Sequence, residues 1–139
     1  MAPFLFIDMK LRLLFFLFIG LVYSQRVVGY YPWWVQDQFE PEELDLVTFT
    51  HINHAFAWPN DQGGIEATSG TFDASIADHI HNNNRKFILS LGGWGTADGF
   101  AVATSTYELR SVFISNILDK FISYGYDGAD IDWEYPQTN

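Results

Sequence analysis

Three carboxylates occupy alternating positions near the end of the 139-residue chain, at Asp130, Asp132 and Glu134 within the stretch GADIDWEYP. Side chains at every second position of a β-strand share one face, so these acids are expected to point the same way. Neighbours on that face lie about 6.6 Å apart along the backbone, where two ionised carboxylates repel by about 2.5 kcal/mol at an effective dielectric of about 20. At least one acid is therefore expected to keep its proton near neutral pH, as a general acid must.

The place of each acid along the strand suggests its role. Glu134 is outermost and has the longest side chain, so it is the candidate for the neutral proton donor. Asp132 can form hydrogen bonds in both directions, and Asp130, the deepest of the three, would be a charge partner. The residues on the opposite face of the strand are expected to pack against a layer of helices. They are Ala129, Ile131 and Trp133.

Two other interpretations of the acidic face are open. It could be the solvated face of an edge strand, or the D-x-D-x-E row could hold a metal ion. The DG before the acids and the YP after them, at the end of a fourth strand, disfavour the solvated edge. The four histidines do not suggest a zinc site, because the spacings within the pairs His51/His54 and His79/His81 make their members diverge.

Apolar segments rich in Val, Ile, Phe and Tyr predict four strands, which begin near Arg26, Thr48, Lys86 and Tyr126. A short helix is expected in EPEELDLV and a loop at NDQGG. Strands that alternate with helices predict an α/β fold with a parallel sheet of about four β/α units. This is the first half of an eight-stranded barrel, which typically needs about 250 residues, so the chain is expected to be truncated.

Two further helices are predicted between the later strands. The segment DASIADHIHNN places Ile76 and Ile80 one turn apart. In the longer segment STYELRSVFISNILDKFISYG, Ser105 and Glu108 have the spacing of a capping box, and Gly125 can end the helix. The apolar face of this helix is expected to comprise Leu109, Val112, Phe113, Ile117 and Phe121.

Composition and the first residues limit the partners and the location. The formal net charge of -10 disfavours nucleic acid, because phosphate binding needs Lys and Arg, and a neutral polymer or a cationic surface fits better. The chain has no cysteine for disulfides or thiolate metal sites. Lys10 and Arg12 ahead of the apolar run LLFFLFIGLV predict a signal peptide over residues 1–24, with an uncleaved anchor as the alternative. A secreted protein with no stable membrane insertion after cleavage is expected.

Three segments in this order and spacing resemble family-18 glycoside hydrolases, the chitinase family. YDGADIDWEYP resembles the D-G-x-D-x-D-W-E-Y-P signature of that family, and SLGGW at residues 90–94 resembles its S-x-G-G motif on the third strand. VVGYYPWW resembles its first strand. The resemblance covers residues 26–136 and implies that residues 25–139 form the N-terminal half of the catalytic (β/α)8 barrel.

The resemblance implies hydrolysis of β-1,4 N-acetylglucosamine linkages in chitin by a retaining, substrate-assisted mechanism, in which the N-acetyl oxygen of the sugar attacks the anomeric carbon. Glu134 would donate the proton to the glycosidic oxygen, Asp132 would orient the acetamido group, and Asp130 would tune Asp132. The expected ligands are chitin or N-acetylglucosamine oligosaccharides. No metal or organic cofactor is implied.

The resemblance also implies substrate-binding aromatic residues, since sugars stack on aromatic faces. Tyr30, Phe56 and Trp94 would line the site beside the scissile sugar, with Tyr135 next to the acid. Plain barrel core is an open alternative for Tyr30 and Phe56, and the tryptophans at 33–34 could be an outer subsite or a buried turn. Supporting roles are implied for Asp127, Ser90, Gly92 and Gly93.

In this family, later strands supply a tyrosine and a tryptophan to the sugar site, and the 139 residues do not reach them. Four strands would also leave two open edges, which invite aggregation. We therefore predict that the 139-residue product alone is inactive and poorly soluble. A non-catalytic chitin- or glycan-binding protein is the alternative function. Expression and an assay on chito-oligosaccharides test the prediction, and a soluble monomer with chitinase turnover would contradict it.

Overall fold

A computed structural model describes residues 25–136, so the predicted signal peptide at residues 1–24 lies outside the described part of the chain. Four parallel strands form one sheet in the order β1-β2-β4-β5, and a short strand β3 pairs antiparallel with the end of β2. The strands are β1 (Val28–Pro32), β2 (His51–Pro59), β3 (Ile65–Ala67), β4 (Lys86–Gly92) and β5 (Gly128–Asp132). The four predicted strands and their parallel arrangement are confirmed.

Three helices connect the strands: α1 (Ala74–Asn82), α2 (Gly99–Ala103) and α3 (Tyr107–Tyr124). The predicted helix around Ile76 and Ile80 is confirmed as α1. Its N-cap is Asp73, whose side chain accepts a hydrogen bond from the Ser75 amide. The short helix expected in EPEELDLV is a 3-10 helix, Pro41–Glu43. Within residues 25–136, no helix combines the length and the hydropathy needed to span a membrane.

Helix α3 differs in two details from the prediction. Its N-cap is Thr106, whose hydroxyl oxygen accepts a hydrogen bond from the Leu109 amide, so the predicted capping box at Ser105 is wrong. The predicted end is confirmed, because Gly125 has the left-handed φ of 74° that favours glycine. Val112 was expected on the buried face but is 45% exposed, since α3 packs on α1, α2 and β3 with Phe113 at the centre of its contact face.

One other expectation is wrong at the edge of the sheet, and the predicted loop after β2 is confirmed. Ala129 and Ile131 are exposed rather than covered by helices, because β5 is the outermost strand of the described sheet and α3 packs elsewhere. Trp133 does pack against the helix layer, with its ring stacked on Phe100 of α2. The predicted loop NDQGG is the turn of a hairpin that leads into β3, a strand that sequence analysis missed.

The hydrophobic core lies between the sheet and the helices, on the face opposite Asp130. Phe87, Leu89 and Leu91 alternate along β4 and are fully buried in one cluster with Ile80 of α1 and Phe100 of α2. The intervening residue Ser90 points to the concave face of the sheet, where it contacts Asp130. The alternation of β4 thus separates a dry face from the face that carries the acids.

A buried histidine is the polar centre of this core. His54 on β2 is fully buried, with Nδ1 2.7 Å from the Tyr126 hydroxyl and Nε2 2.7 Å from the Gln36 side-chain nitrogen. Because an amide nitrogen only donates, Nε2 accepts and Nδ1 carries the proton that it donates to Tyr126. The ring also stacks on Phe87. Burial lowers the pKa of His54 to about 4, although the charge of Asp73 opposes this.

This histidine predicts an acid-linked loss of stability. In the unfolded chain His54 takes up a proton at a pKa of about 6.5, and in the folded chain only at about 4. The contribution of neutral His54 to the free energy of unfolding is therefore complete above pH 6.5 and is lost as the pH falls from 6.5 to 4. The loss should reach about 3 kcal/mol. Urea denaturation across this range measures it, and His54→Gln should make the slope clearly shallower; a smaller slope remains because burial also lowers the pKa of His51. The matched variant His79→Gln, at a partly exposed site, should keep it; an unchanged slope in His54→Gln would contradict the assignment.

Candidate active site

Asp130 is held by hydroxyl groups from two other strands. Tyr30 on β1 donates a hydrogen bond of 2.9 Å and Ser90 on β4 one of 2.7 Å, both to Oδ2 of Asp130 on β5. Two hydroxyl donors from separate strands therefore converge on one carboxylate oxygen. Burial and the bond to Asp130 in turn raise the pKa of Tyr30, so its hydroxyl keeps the proton that it donates.

Asp132 is the acid whose surroundings favour the protonated form. Burial, followed by the charges of Glu134 and Asp130, raises the pKa of Asp132. Sequence analysis favoured Glu134 as the neutral group, and the structure gives the raised pKa to the middle acid, which lies between two like charges. Glu134 stands two residues beyond the end of β5 and is partly buried. The acid with the raised pKa therefore lies next to Glu134 in the row.

Two glycines let β4 pass close to the acidic strand. Gly92 has a φ of 113°, and a side chain there would collide with the backbone carbonyl of Asp132. The Gly93 amide donates a 2.9 Å hydrogen bond to the same carbonyl, and a Cβ at Gly93 would lie 3.0 Å from the Phe56 ring. Both positions need glycine, because they combine a positive φ with close neighbours. They fix the backbone from which Asp132 and Glu134 project.

Aromatic side chains flank the acids on the concave side. Tyr30, Phe56 and Trp34 form a continuous row, with ring centroids 6.0 and 6.2 Å apart. Trp94 after β4 is 80% exposed and meets Tyr135 edge-on at 6.4 Å. All four of the aromatic residues expected at the site therefore lie along this face, and Trp34 joins them. Trp58, which sequence analysis did not single out, lies two residues beyond Phe56, and that period-two spacing was the signal.

Asp127 lies apart from the other acids, at the start of β5. It accepts hydrogen bonds from the Lys86 ammonium, the Phe87 amide and Nε2 of His81, at 2.6, 2.9 and 2.8 Å. Burial alone would raise the pKa of Asp127, but these bonds hold it below its usual value. The carboxylate therefore ties α1 and β4 to β5, which is a supporting rather than a chemical position.

The histidines all have separate partners. His51 meets the Thr50 hydroxyl, His54 lies in the core, His79 approaches Glu42 at 4.0 Å and His81 bonds Asp127. Within the part of the chain that the structure describes, no group of three or more His, Cys, Asp or Glu side chains is arranged to hold a metal ion.

The sequence model for "Glycosyl hydrolases family 18" matches residues 26–139. The chain belongs to glycosyl hydrolase family 18. Its (β/α) order is that of family-18 barrels: it superimposes on a Group IV chitinase from Ostrinia furnacalis in complex with allosamidin with a TM-score of 0.72, at 28% identity, over 84% of this chain. A family-18 chitinase from Cycas revoluta in complex with (GlcNAc)3 gives a TM-score of 0.67, at 28% identity, over 79% of this chain.

A curated family-18 relative is described as a chitinase-like effector from Moniliophthora roreri, which is 34% identical over 111 residues, or 78% of this chain. The chain spans 27% of that relative's length and 34% of each of the two chitinase structures. The resemblance seen in the sequence motifs is thus confirmed at the level of the family and of a partial (β/α)8 barrel.

The arrangement of the acids predicts a coupled titration. Replacing Glu134 by Gln removes one of the charges that raise the pKa of Asp132, so the pKa of Asp132 should fall toward its ordinary value of 3.8. A carboxyl-carbon NMR titration measures this shift directly. Glu66→Gln on the β2–β3 hairpin is the matched control and should leave Asp132 unchanged. If the pKa of Asp132 is the same in Glu134→Gln as in the parent protein, the two carboxyl groups are not coupled.

Proposed function

We propose that this family-18 protein hydrolyses the β-1,4 N-acetylglucosamine linkages of chitin with retention, and that Glu134 is the proton donor. The observation that carries the proposal is the row Asp130, Asp132 and Glu134 on one concave face, with the first acid fixed by Tyr30 and Ser90 and the second raised in pKa. Family membership and solved chitinases with bound allosamidin and (GlcNAc)3 support the substrate class.

In this proposal each acid has a distinct task. The hydroxyls of Tyr30 and Ser90 hold the Asp130 carboxylate in place, and the charge of Asp130 adds to burial and to the charge of Glu134 in raising the pKa of Asp132. Asp132 then orients the acetamido group of the substrate, so that its carbonyl oxygen attacks the anomeric carbon as the glycosidic bond breaks. Glu134 in its protonated form, which it can reach by taking the proton of Asp132, gives that proton to the departing oxygen. As a carboxylate it then takes a proton from the water that attacks the anomeric carbon and displaces the acetamido oxygen, so both the acetamido group and the acid are regenerated.

The surroundings of the acids suit a neutral, ring-shaped substrate. The aromatic row of Tyr30, Phe56 and Trp34 offers flat apolar faces, and the exposed Trp94 offers another beside the acids. Aromatic faces pack against the C–H faces of sugar rings, and a neutral polymer meets no repulsion from the net charge of -10. With the signal peptide predicted over residues 1–24, we propose that the protein acts on extracellular chitin and needs no cofactor.

Loss of the proton donor should abolish turnover. In the complete gene product that carries these residues, Glu134→Gln should lower kcat/KM on chito-oligosaccharides by about a hundredfold to ten-thousandfold, because general acid catalysis contributes that much. Binding should persist, since the amide keeps the shape of the side chain. The matched variant Glu108→Gln, on the exposed first turn of α3, should retain full activity. Equal turnover by Glu134→Gln and the parent would reject Glu134 as the acid.

A second candidate is a non-catalytic glycan-binding protein, and the relationship to a chitinase-like effector favours it. The same measurements separate the two functions. Retention of the parent protein on chitin without release of soluble oligosaccharides, unchanged by Glu134→Gln, would support binding alone. Against this candidate, Glu134 is present and the acidic row around it is complete.

A further inference from the structure

The end of β4 leads into a turn built mostly of glycine, at residues 92–96, which we call the glycine turn. Gly92, Gly93 and Gly95 have φ angles of 113°, 88° and 80°, in the left-handed region that other residues rarely adopt. Glycine gives a turn freedom rather than stiffness, because it has the widest choice of backbone conformations. The glycine turn therefore depends on hydrogen bonds to hold one conformation.

Thr96 supplies those hydrogen bonds from the far end of the turn. Its hydroxyl donates to the Gly92 carbonyl and lies 3.3 Å from the Gly93 carbonyl. The Thr96 amide also donates to the Gly93 carbonyl, at 3.3 Å. Within residues 25–136, no other side chain forms a hydrogen bond with residues 92–95. A single half-buried hydroxyl thus closes the turn.

The hydrogen bond from Thr96 reaches the acidic strand through one peptide group. The Gly92 carbonyl and the Gly93 amide belong to the same planar peptide. The Gly93 amide donates a 2.9 Å hydrogen bond to the carbonyl of Asp132, the last residue of β5. A hydrogen bond accepted on one side of a peptide group strengthens the bond donated on the other side. Thr96 is therefore linked to the backbone from which Asp132 and Glu134 project.

Glu134 depends on this link because it lies beyond the sheet. Gly92 and Asp132 are the last pair of the β4–β5 ladder, and Glu134 follows two residues later. The ring of Trp133, stacked on Phe100, is a second anchor for this stretch. Loss of the Thr96 bond should therefore shift Glu134 rather than release it. Even a small shift matters, since a misplacement of about 1 Å can lower a rate by about a hundredfold.

We propose that Thr96 is a positioning residue for the acids, whose hydroxyl fixes the Gly92–Gly93 peptide and, through it, the place of Glu134. This inference rests on the proposed hydrolysis of chitin. The effect passes through the backbone at the end of β5, whereas the aromatic faces hold the substrate. Thr96 should therefore influence turnover more than the binding of the substrate.

Replacing the hydroxyl by a methyl group of the same shape tests the proposal in the complete gene product. Thr96→Val should lower kcat on chito-oligosaccharides about tenfold and leave KM within about twofold. It should also speed hydrogen exchange of the Gly93 amide about fivefold, because the peptide is no longer held. NMR measures this exchange without substrate. Thr96→Ser keeps the hydroxyl and should restore both kcat and the slow exchange.

Thr104→Val is the matched control. The Thr104 hydroxyl also donates to a carbonyl four residues earlier, that of Phe100, at 2.7 Å, and it is also half-buried. The two valine variants should lose similar amounts of Tm, because they lose the same kind of hydrogen bond. Only Thr96→Val should lose kcat and gain exchange at Gly93.

The outcomes separate this inference from the function on which it rests. Unchanged kcat in Thr96→Val, a loss that appears in KM alone, or an equal loss of kcat in Thr104→Val would each overturn the role of Thr96. So would a serine variant that behaves like the valine variant. If the parent protein does not hydrolyse chito-oligosaccharides, the proposed function itself fails. Exchange at Gly93 then still decides whether Thr96 holds the peptide, and an unchanged rate in Thr96→Val rejects it.

Discussion

A hydroxyl of the first strand meets a carboxylate of the last strand of the sheet, in the contact of Tyr30 with Asp130. Two strands, β2 and β4, lie between them. On a flat sheet β1 and β5 would be about 14 Å apart and their side chains would stand parallel. The side chains converge because the sheet curves as the wall of a barrel does. The site is therefore a property of the curvature, and every element that bends the sheet also helps to place the acids.

Polar side chains on the two faces of these strands differ in their hydrogen-bond partners and in what shifts their pKa values. On the helix-facing side, His54 is satisfied by Tyr126 and Gln36 and is kept neutral by burial. On the concave side, Asp130 has two hydroxyl donors, whereas burial and the charges of Glu134 and Asp130 raise the pKa of Asp132. The first arrangement stabilises the fold at neutral pH. The second leaves electrostatic repulsion between neighbouring carboxyl groups.

The sequence predicted what depends on local patterns. Four strands, the end of α3 at Gly125 and the common face of the acids follow from periodicity and turn chemistry. The sequence also placed Phe113, Ile117 and Phe121 on the packed face of α3, and only Val112 of that face is exposed. A second apolar stripe on the helix, which stays exposed, comprises Ile114, Leu118 and Ile122. Strand β3 has only three residues, too few to show a period. Which acid holds the proton depends on burial in three dimensions, and no spacing encodes it.

The two carboxylate oxygens of Asp130 have different surroundings, because both hydrogen bonds go to the same one, Oδ2. Tyr30 and Ser90 both point hydrogens at Oδ2, so an asparagine introduced there must turn its carbonyl toward them. Its NH2 group then occupies the place of Oδ1. Asparagine at this position would therefore remove the negative charge and also replace the acceptor Oδ1 by an NH2 donor. An isosteric amide here changes the hydrogen bonding of the cleft as well as its charge.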